Sequence, residues 1–169
     1  SLAHAPALPA TTLANGCYSE MFEGCSSLTQ APALPATTLA ENCYMGMFAS
    51  CTNLTKAPEL PATTLVKGCY AGLFYECENL NYVKAAFTEW YDDEEEDYYY
   101  YYYYLNSTEE WLSGVAEKGT FICPAGLELR YGESYIPEGW TVNGYTVTSG
   151  ILEEQCGSIV SEFFRNKRH

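Results

Sequence analysis

An α+β solenoid with short parallel strands, closed by a small C-terminal α+β cap, is the fold class this sequence predicts, and three observations predict it. A 26-residue pattern is written three times in succession, over Ala5 to Gln30, Ala31 to Lys56 and Ala57 to Tyr82. Each copy reads A-P-x-L-P-A-T-T-L-x-x-x-C-Y-x-x-[ML]-F-x-x-C-x-x-L-x-x, and thirteen positions are identical in all three. A fixed period of this length marks a unit that cannot bury its own apolar face and must stack on a copy of itself. Within each copy an extended-looking segment alternates with one of helix-like apolar spacing. After residue 82 the period stops and the composition changes, as a cap requires. The expected organisation is a partial repeat and three full repeats over 1–82, a cap over 83–148 with an acidic and tyrosine-rich insertion at 92–104, and an amphipathic helix over 149–169.

Leu28 to Leu34, with counterparts at 2–8 and 54–60, reads as the strand of each repeat. Pro6, Pro32 and Pro58 each withdraw a backbone donor from a ladder, so these strands should be only about three or four residues long. The following segment, Leu39 to Phe48 and its equivalents, spaces Leu, Cys, Tyr, Met and Phe three to five apart and predicts a turn or two of α- or 3₁₀-helix. At about 4.8 Å per rung the three copies rise only about 15 Å. Ser1-Leu2 aligns with Ser27-Leu28, and His4 falls where Gln30, Lys56 and Tyr82 fall, so the chain opens inside a repeat. Arrays end in atypical capping repeats, and further repeats or a cap are expected ahead of Ser1.

In the second half, Val83, Ala85 and Phe87 alternate as a half-buried strand would, which makes Tyr82 to Phe87 the last rung. Ser107 followed by Glu110 has capping-box spacing and predicts a helix from Thr108 to Glu117, with Trp111, Leu112 and Val115 toward the stack. Strands are expected through Thr120-Phe121-Ile122 and Trp140-Thr141-Val142. Trp111 and Trp140 read as core residues rather than sugar-stacking platforms. In the tail, Ile151, Leu152, Cys156, Ile159, Val160, Phe163 and Phe164 recur at helical spacing ahead of a basic end.

Six cysteines fall eight apart within the repeats: Cys17 and Cys25, Cys43 and Cys51, Cys69 and Cys77. Across a helical segment such pairs lie near 12 Å apart, beyond the reach of a bridge, and zinc-type C-x₂₋₄-C spacing is absent. The favoured reading is a column of free thiols acting as small apolar core groups, with disulfides between adjacent repeats as the alternative. No metal or cofactor is expected.

The net charge is −14, with six acidic and two basic side chains over 1–80 and sixteen acidic and six basic over 81–169. Phosphate recognition needs the opposite sign, so nucleic acid is excluded as a partner. No apolar run reaches the roughly 20 residues of a membrane span. His4 and His169 are the only histidines, which leaves a Ser-His-Asp or Cys-His site almost without material. The chain reads as non-catalytic.

The motifs L-P-A-T-T-L, C-Y-x-x-M-F-x-x-C and L-T-x-A-P resemble the BspA-like, or Treponema pallidum-type, leucine-rich repeat across residues 1–82. The segments Trp111 to Ala116, Gly119 to Phe121 and Ile136 to Val142 are similar to the closing part of such arrays. The resemblance implies a right-handed leucine-rich repeat array in a secreted or cell-surface bacterial protein, several relatives being linked to adhesion, and it implies no catalytic residues. The expected function is therefore binding of a protein or glycan of a host or neighbouring cell, in an extracellular or cell-surface setting. The alternative is a structural spacer or self-assembly module, with self-association through the exposed N-terminal edge.

Candidate contact residues fall in two groups. In the insertion, Asp92, Asp93 and Glu94 open a six-carboxylate run that leads into Tyr98, Tyr99, Tyr100, Tyr101, Tyr102, Tyr103 and Tyr104. Tyrosine supplies amphipathic contact area at low entropic cost, and a basic partner would meet the carboxylates. Calcium suits their oxygens, yet no D-x-[DN]-x-[DN]-G spacing orders them. In the repeats, packing does not dictate the varied positions Gln30, Lys56 and Tyr82, nor Glu41, Lys67, Ser26, Thr52 and Glu78.

Overall fold

The structure, a computed structural model, describes residues 2–92, 106–148 and 151–153. Three coils coincide with the three sequence copies: coil 1 over 5–30, coil 2 over 31–56 and coil 3 over 57–82. A fourth, over 83–92 and 106–118, departs from the pattern. The helix-like segment of each coil is not helical. In coil 1 the N–H groups of Gly16, Tyr18, Glu20, Phe22 and Gly24 donate across to the carbonyls of Glu41, Cys43, Met45, Met47 and Ala49 at 2.8–2.9 Å. The intervening Cys17, Ser19, Met21, Glu23 and Cys25 donate back three residues within the coil. The same scheme joins coil 2 to coil 3 from Asn42, Tyr44, Gly46, Phe48 and Ser50, and coil 3 to coil 4 from Tyr70, Gly72, Phe74 and Glu76.

This alternation requires a left-handed residue in every fourth position. The columns Gly16/Asn42/Gly68, Glu20/Gly46/Gly72/Glu110 and Gly24/Ser50/Glu76/Gly114 all have φ between 48° and 74°. An α-helix needs every φ near −60°, and its N–H groups bond four residues back. Here half of them leave the coil instead. What the helix would have gained locally is replaced by an inter-coil ladder and by stacked rings. Phe22, Phe48 and Phe74 stack at 5.6 and 5.7 Å between centroids, and Tyr18, Tyr44 and Tyr70 at 5.9 and 6.2 Å.

Strands form only where proline ends. Pro32, Pro35, Pro58 and Pro61 line the opposite face of coils 2 and 3, and no backbone bond joins residues 28–36 to 54–62. The proline-free sequence that follows supplies β1, Tyr82–Lys84. Ala57 and Leu60 donate to Tyr82 and Lys84 at 2.9 and 3.1 Å, leaving coil 3 with isolated bridges at Lys56 and Leu60. β2, Thr120–Pro124, and β3, Thr141–Thr148, follow in parallel register, and β4, Ile151–Glu153, runs antiparallel to β3. The sheet order is β1-β2-β3-β4.

The predicted α+β solenoid with an α+β cap is therefore overturned. Among the described residues there is no helix, and only three short strands run parallel in one sheet. The expected repeat strands at 2–8, 28–34 and 54–60 are absent: Pro6, Pro32 and Pro58 each lack a ladder donor, and between coils 2 and 3 the donors that remain at Ala31 and Leu34 find no backbone acceptor. The helix expected over Thr108 to Glu117 is a turn ladder interrupted by left-handed Glu110 (φ 48°) and Gly114 (φ 74°). The amphipathic helix expected over 149–169 begins instead as strand at Ile151–Glu153; its remainder lies outside the described residues. Strands are present through Thr120–Ile122 and Thr141–Val142, as β2 and β3.

The core runs the length of the stack. Cys43, Cys51, Cys69 and Cys77 are fully buried within it and unbridged. Cys51 and Cys77 donate their thiols to the carbonyls of Phe22 and Phe48 at 3.2 and 3.0 Å, one coil back. Trp111 is wholly buried and Trp140 is 5% exposed. Trp90, Trp111 and Trp140 each donate a ring N–H to a backbone carbonyl at 2.8 Å, from Glu128, Tyr135 and Ala116. Those bonds pin coil 4 to the segment that closes it.

Candidate functional site

Without a backbone ladder, the proline face of coils 2 and 3 opens as a groove of about 780 Å³. Its lining combines the apolar Ala33, Leu34 and Pro58 with the polar and charged Gln30, Lys56 and Glu59. Two of the varied repeat positions thus line one concavity. Tyr82 continues their column in β1, and the Lys56 ammonium sits 4.7 Å from the centre of its ring. That places Lys56 in cation–π range with its charge still presented to the groove. Glu59, which the sequence reading passed over, pairs with Lys84 at 3.3 Å. Its signal was available, since coils 1 and 2 carry alanine at that position (Ala7 and Ala33).

The groove also carries backbone chemistry. Ala31 and Leu34 are the counterparts of Ala57 and Leu60, yet their N–H groups have no backbone acceptor. Apolar side chains, two unpaired backbone donors, an ammonium and a carboxylate in one lining suit an extended ligand rich in hydrogen-bond acceptors, such as a peptide or a glycan. On the opposite, turn-ladder face a smaller trough of about 240 Å³ has Gly46, Ala49, Ala71 and Gly72 as its floor and Glu20, Glu23, Glu109 and Glu110 around it. Beside it the Tyr75 phenol is held above its ordinary range, chiefly by the Glu76 carboxylate.

The second candidate group begins at Asp92. Ser107 N–H donates to Tyr91 C=O at 3.3 Å, the bond that Cys69 N–H makes to Val66 C=O one coil earlier at 3.2 Å. Three residues separate the earlier pair and sixteen the later one. The insertion is therefore thirteen residues, 93–105, spliced into a single turn of coil 4 with both ends meeting. Asp92 is not a free carboxylate. It accepts from the Arg130 guanidinium and, at 3.1 Å, from the Tyr135 hydroxyl. Asp92, then Glu128 and Tyr135, hold the Arg130 guanidinium protonated beyond its ordinary range. Arg130 and Tyr135 were not legible as site residues, because they meet Asp92 only in the fold. Asp93, Glu94 and Tyr98 to Tyr104 lie outside the described residues.

Among the described residues no group of three or more histidine, cysteine, aspartate or glutamate side chains is placed to hold a metal ion. No described helix is long and apolar enough to cross a membrane. The chain matches no protein-family model, and no curated protein or solved structure matches it.

Proposed function

We propose that the chain is a non-catalytic binding protein, secreted or displayed at a bacterial cell surface, that engages a protein or glycan of a host or neighbouring cell. The resemblance to BspA-like leucine-rich repeats supports the setting. The observation that carries the reading is the groove in which Gln30 and Lys56, varied where the frame is constant, share a lining with Leu34 and Pro58 and with unpaired backbone donors. The insertion adds a second element, acidic and tyrosine-rich by sequence, rooted on the Asp92–Arg130 pair.

The test is a panel of extracellular-matrix proteins, glycans and bacterial surface extracts. It is screened against the chain, Lys56→Ala, Gln30→Ala and a deletion of 93–105 that closes Asp92 onto Asn106. The deletion turns the Tyr91–Ser107 bond into an ordinary i→i+3 turn bond, so it should fold. Saturable binding weakened about 5- to 30-fold by Lys56→Ala, as for an interface residue worth about 1–2 kcal/mol, supports the groove. Loss on the deletion, with strong salt dependence, assigns the contact to the insertion. Saturable binding that none of the three variants alters, or no binding across the panel, rejects the reading; the second result favours a structural spacer.

A further inference from the structure

The contact between coil 3 and β1 shows how the proline face receives an extended chain. Ala57 and Leu60 donate to the carbonyls of Tyr82 and Lys84, alternate residues of β1, at 2.9 and 3.1 Å. Asn81 and Ala86 donate back to the carbonyls of Thr55 and Leu60 at 3.0 and 2.9 Å. Two donors and two acceptors thus hold the six residues 81–86. Coil 2 carries the same set, with Ala31 and Leu34 as donors and Thr29 and Leu34 as carbonyls, and among the described residues none of these groups has a backbone partner. All three residues line the groove. Coil 3 turns its Ala57 and Leu60 N–H groups toward β1, and Pro58 and Pro61 have none to return to coil 2. Leu34 is 3% exposed, and a buried N–H is rarely left without an acceptor, because it forfeits water and gains nothing in exchange. Its counterpart Leu60, 1% exposed, has that acceptor in Lys84.

The charged side chains of the groove select what lies beside these backbone groups. Glu59 is paired with Lys84 at 3.3 Å. Lys56 is exposed and sits 4.7 Å from the centre of the Tyr82 ring, and among the described residues no carboxylate pairs with it. The lining therefore holds one uncompensated positive charge, which an acidic group complements. The whole chain carries −14, so a strongly acidic ligand is repelled at longer range. A single carboxylate fits both conditions. Polypeptide is favoured over glycan because donors with this spacing already meet carbonyls on alternate residues of an extended chain at β1.

We propose that the groove takes an extended peptide segment bearing one carboxylate, its backbone held by Thr29, Ala31 and Leu34 and its carboxylate by Lys56; this rests on the groove reading above. The probe is a library of acetylated, amidated hexapeptides of valine, threonine and serine with one glutamate at a varied position. It is compared with the same library carrying glutamine instead, and with uronic-acid oligosaccharides. The tightest glutamate peptides should bind the full chain about fivefold or more better than their glutamine counterparts. In the complex the Ala31 and Leu34 amides should exchange at least about tenfold more slowly. Lys56→Gln places in coil 3 the residue that coil 2 has in that column, Gln30, so the variant should fold and lose the preference for glutamate. Absence of peptide binding, unchanged exchange at Ala31 and Leu34, equal affinity for glutamine peptides, or binding of the oligosaccharides alone overturns the proposal. If Lys56-sensitive binding of another ligand survives any of these results, the groove reading stands and only the peptide assignment falls; if no ligand binds in a Lys56-sensitive way, both fall.

Discussion

Replacing Phe48 by alanine probes the feature on which the stack depends. The ring is fully buried between Phe22 and Phe74, at 5.6 and 5.7 Å and within 16° and 6° of parallel. A buried Phe→Ala change costs about 3–5 kcal/mol in lost transfer energy and cavity, and each stacked pair contributes about 0.5–1.5 kcal/mol of that total beyond area. Neighbours bonded on both sides leave little room to collapse, so Phe48→Ala belongs at the upper end. Phe22→Ala loses one stacked partner rather than two, at an edge free to relax, and should cost about 2–3 kcal/mol. For a chain of this size about 3–5 kcal/mol corresponds to a melting temperature lower by about 6–20 °C. Urea unfolding of both variants, with unchanged slope as the control for two-state behaviour, reads the difference directly. If the two cost the same within about 0.5 kcal/mol, the phenylalanine column does not carry load as a stack.

Two further outcomes follow from the same ladder. Glu20 is exposed and left-handed at φ 56° in a column where coils 2 and 3 place Gly46 and Gly72. Glu20→Gly should therefore stabilise by about 1 kcal/mol, relieving a side chain that the left-handed region disfavours; a loss of stability by chemical denaturation would contradict the assigned backbone. Burial pushes Cys43 and Cys51 up to about 11, and Cys69, Cys77 and Cys123 up to about 12, from 9.0. Below pH 9 both folded and unfolded chains keep these protons and stability does not respond. Above pH 9 the unfolded chain releases protons that the folded one retains, so stability falls until the folded thiols ionise at about 11–12. The urea midpoint should be level to about pH 9 and then drop, by at most about 1.4 kcal/mol per thiol per pH unit. Replacing Cys51 and Cys77 by alanine should flatten the drop, and an equal slope in that variant would remove the thiols as its cause.

The period was legible because a repeated contact needs the same side chain in every copy. Phe22, Phe48 and Phe74 are one contact written three times. The conformation of that segment was misread for a related reason. Tyr18 and Phe22 lie four apart, a spacing that suits a helix face as well as it suits a chain turning over every four residues. The discriminating signal sat in the varied positions, where Gly16, Gly24, Asn42, Gly46, Gly68 and Gly72 recur at intervals of four or eight within each coil. Glu20, Ser50 and Glu76 obscure it, because residues that rarely adopt positive φ fill the same columns. Of the candidate contacts, Gln30 and Lys56 were singled out by their variability alone, and the fold brings both to one groove. The partners of Asp92 were not, since Arg130 and Tyr135 are remote in sequence and no local pattern links them.

The sequence by itself determined the period, the apolar positions that recur in every copy and the acidic character of the chain, because each depends on composition or spacing alone. Tertiary structure decided where the backbone hydrogen bonds go. Proline removed donors on one face, so strands waited until β1, and left-handed residues on the other sent alternate N–H groups to the next coil instead of along a helix. That choice is not local, since a turn ladder exists only when a neighbouring coil stands one rung away to receive it. The same partnership opens the groove that Gln30 and Lys56 line.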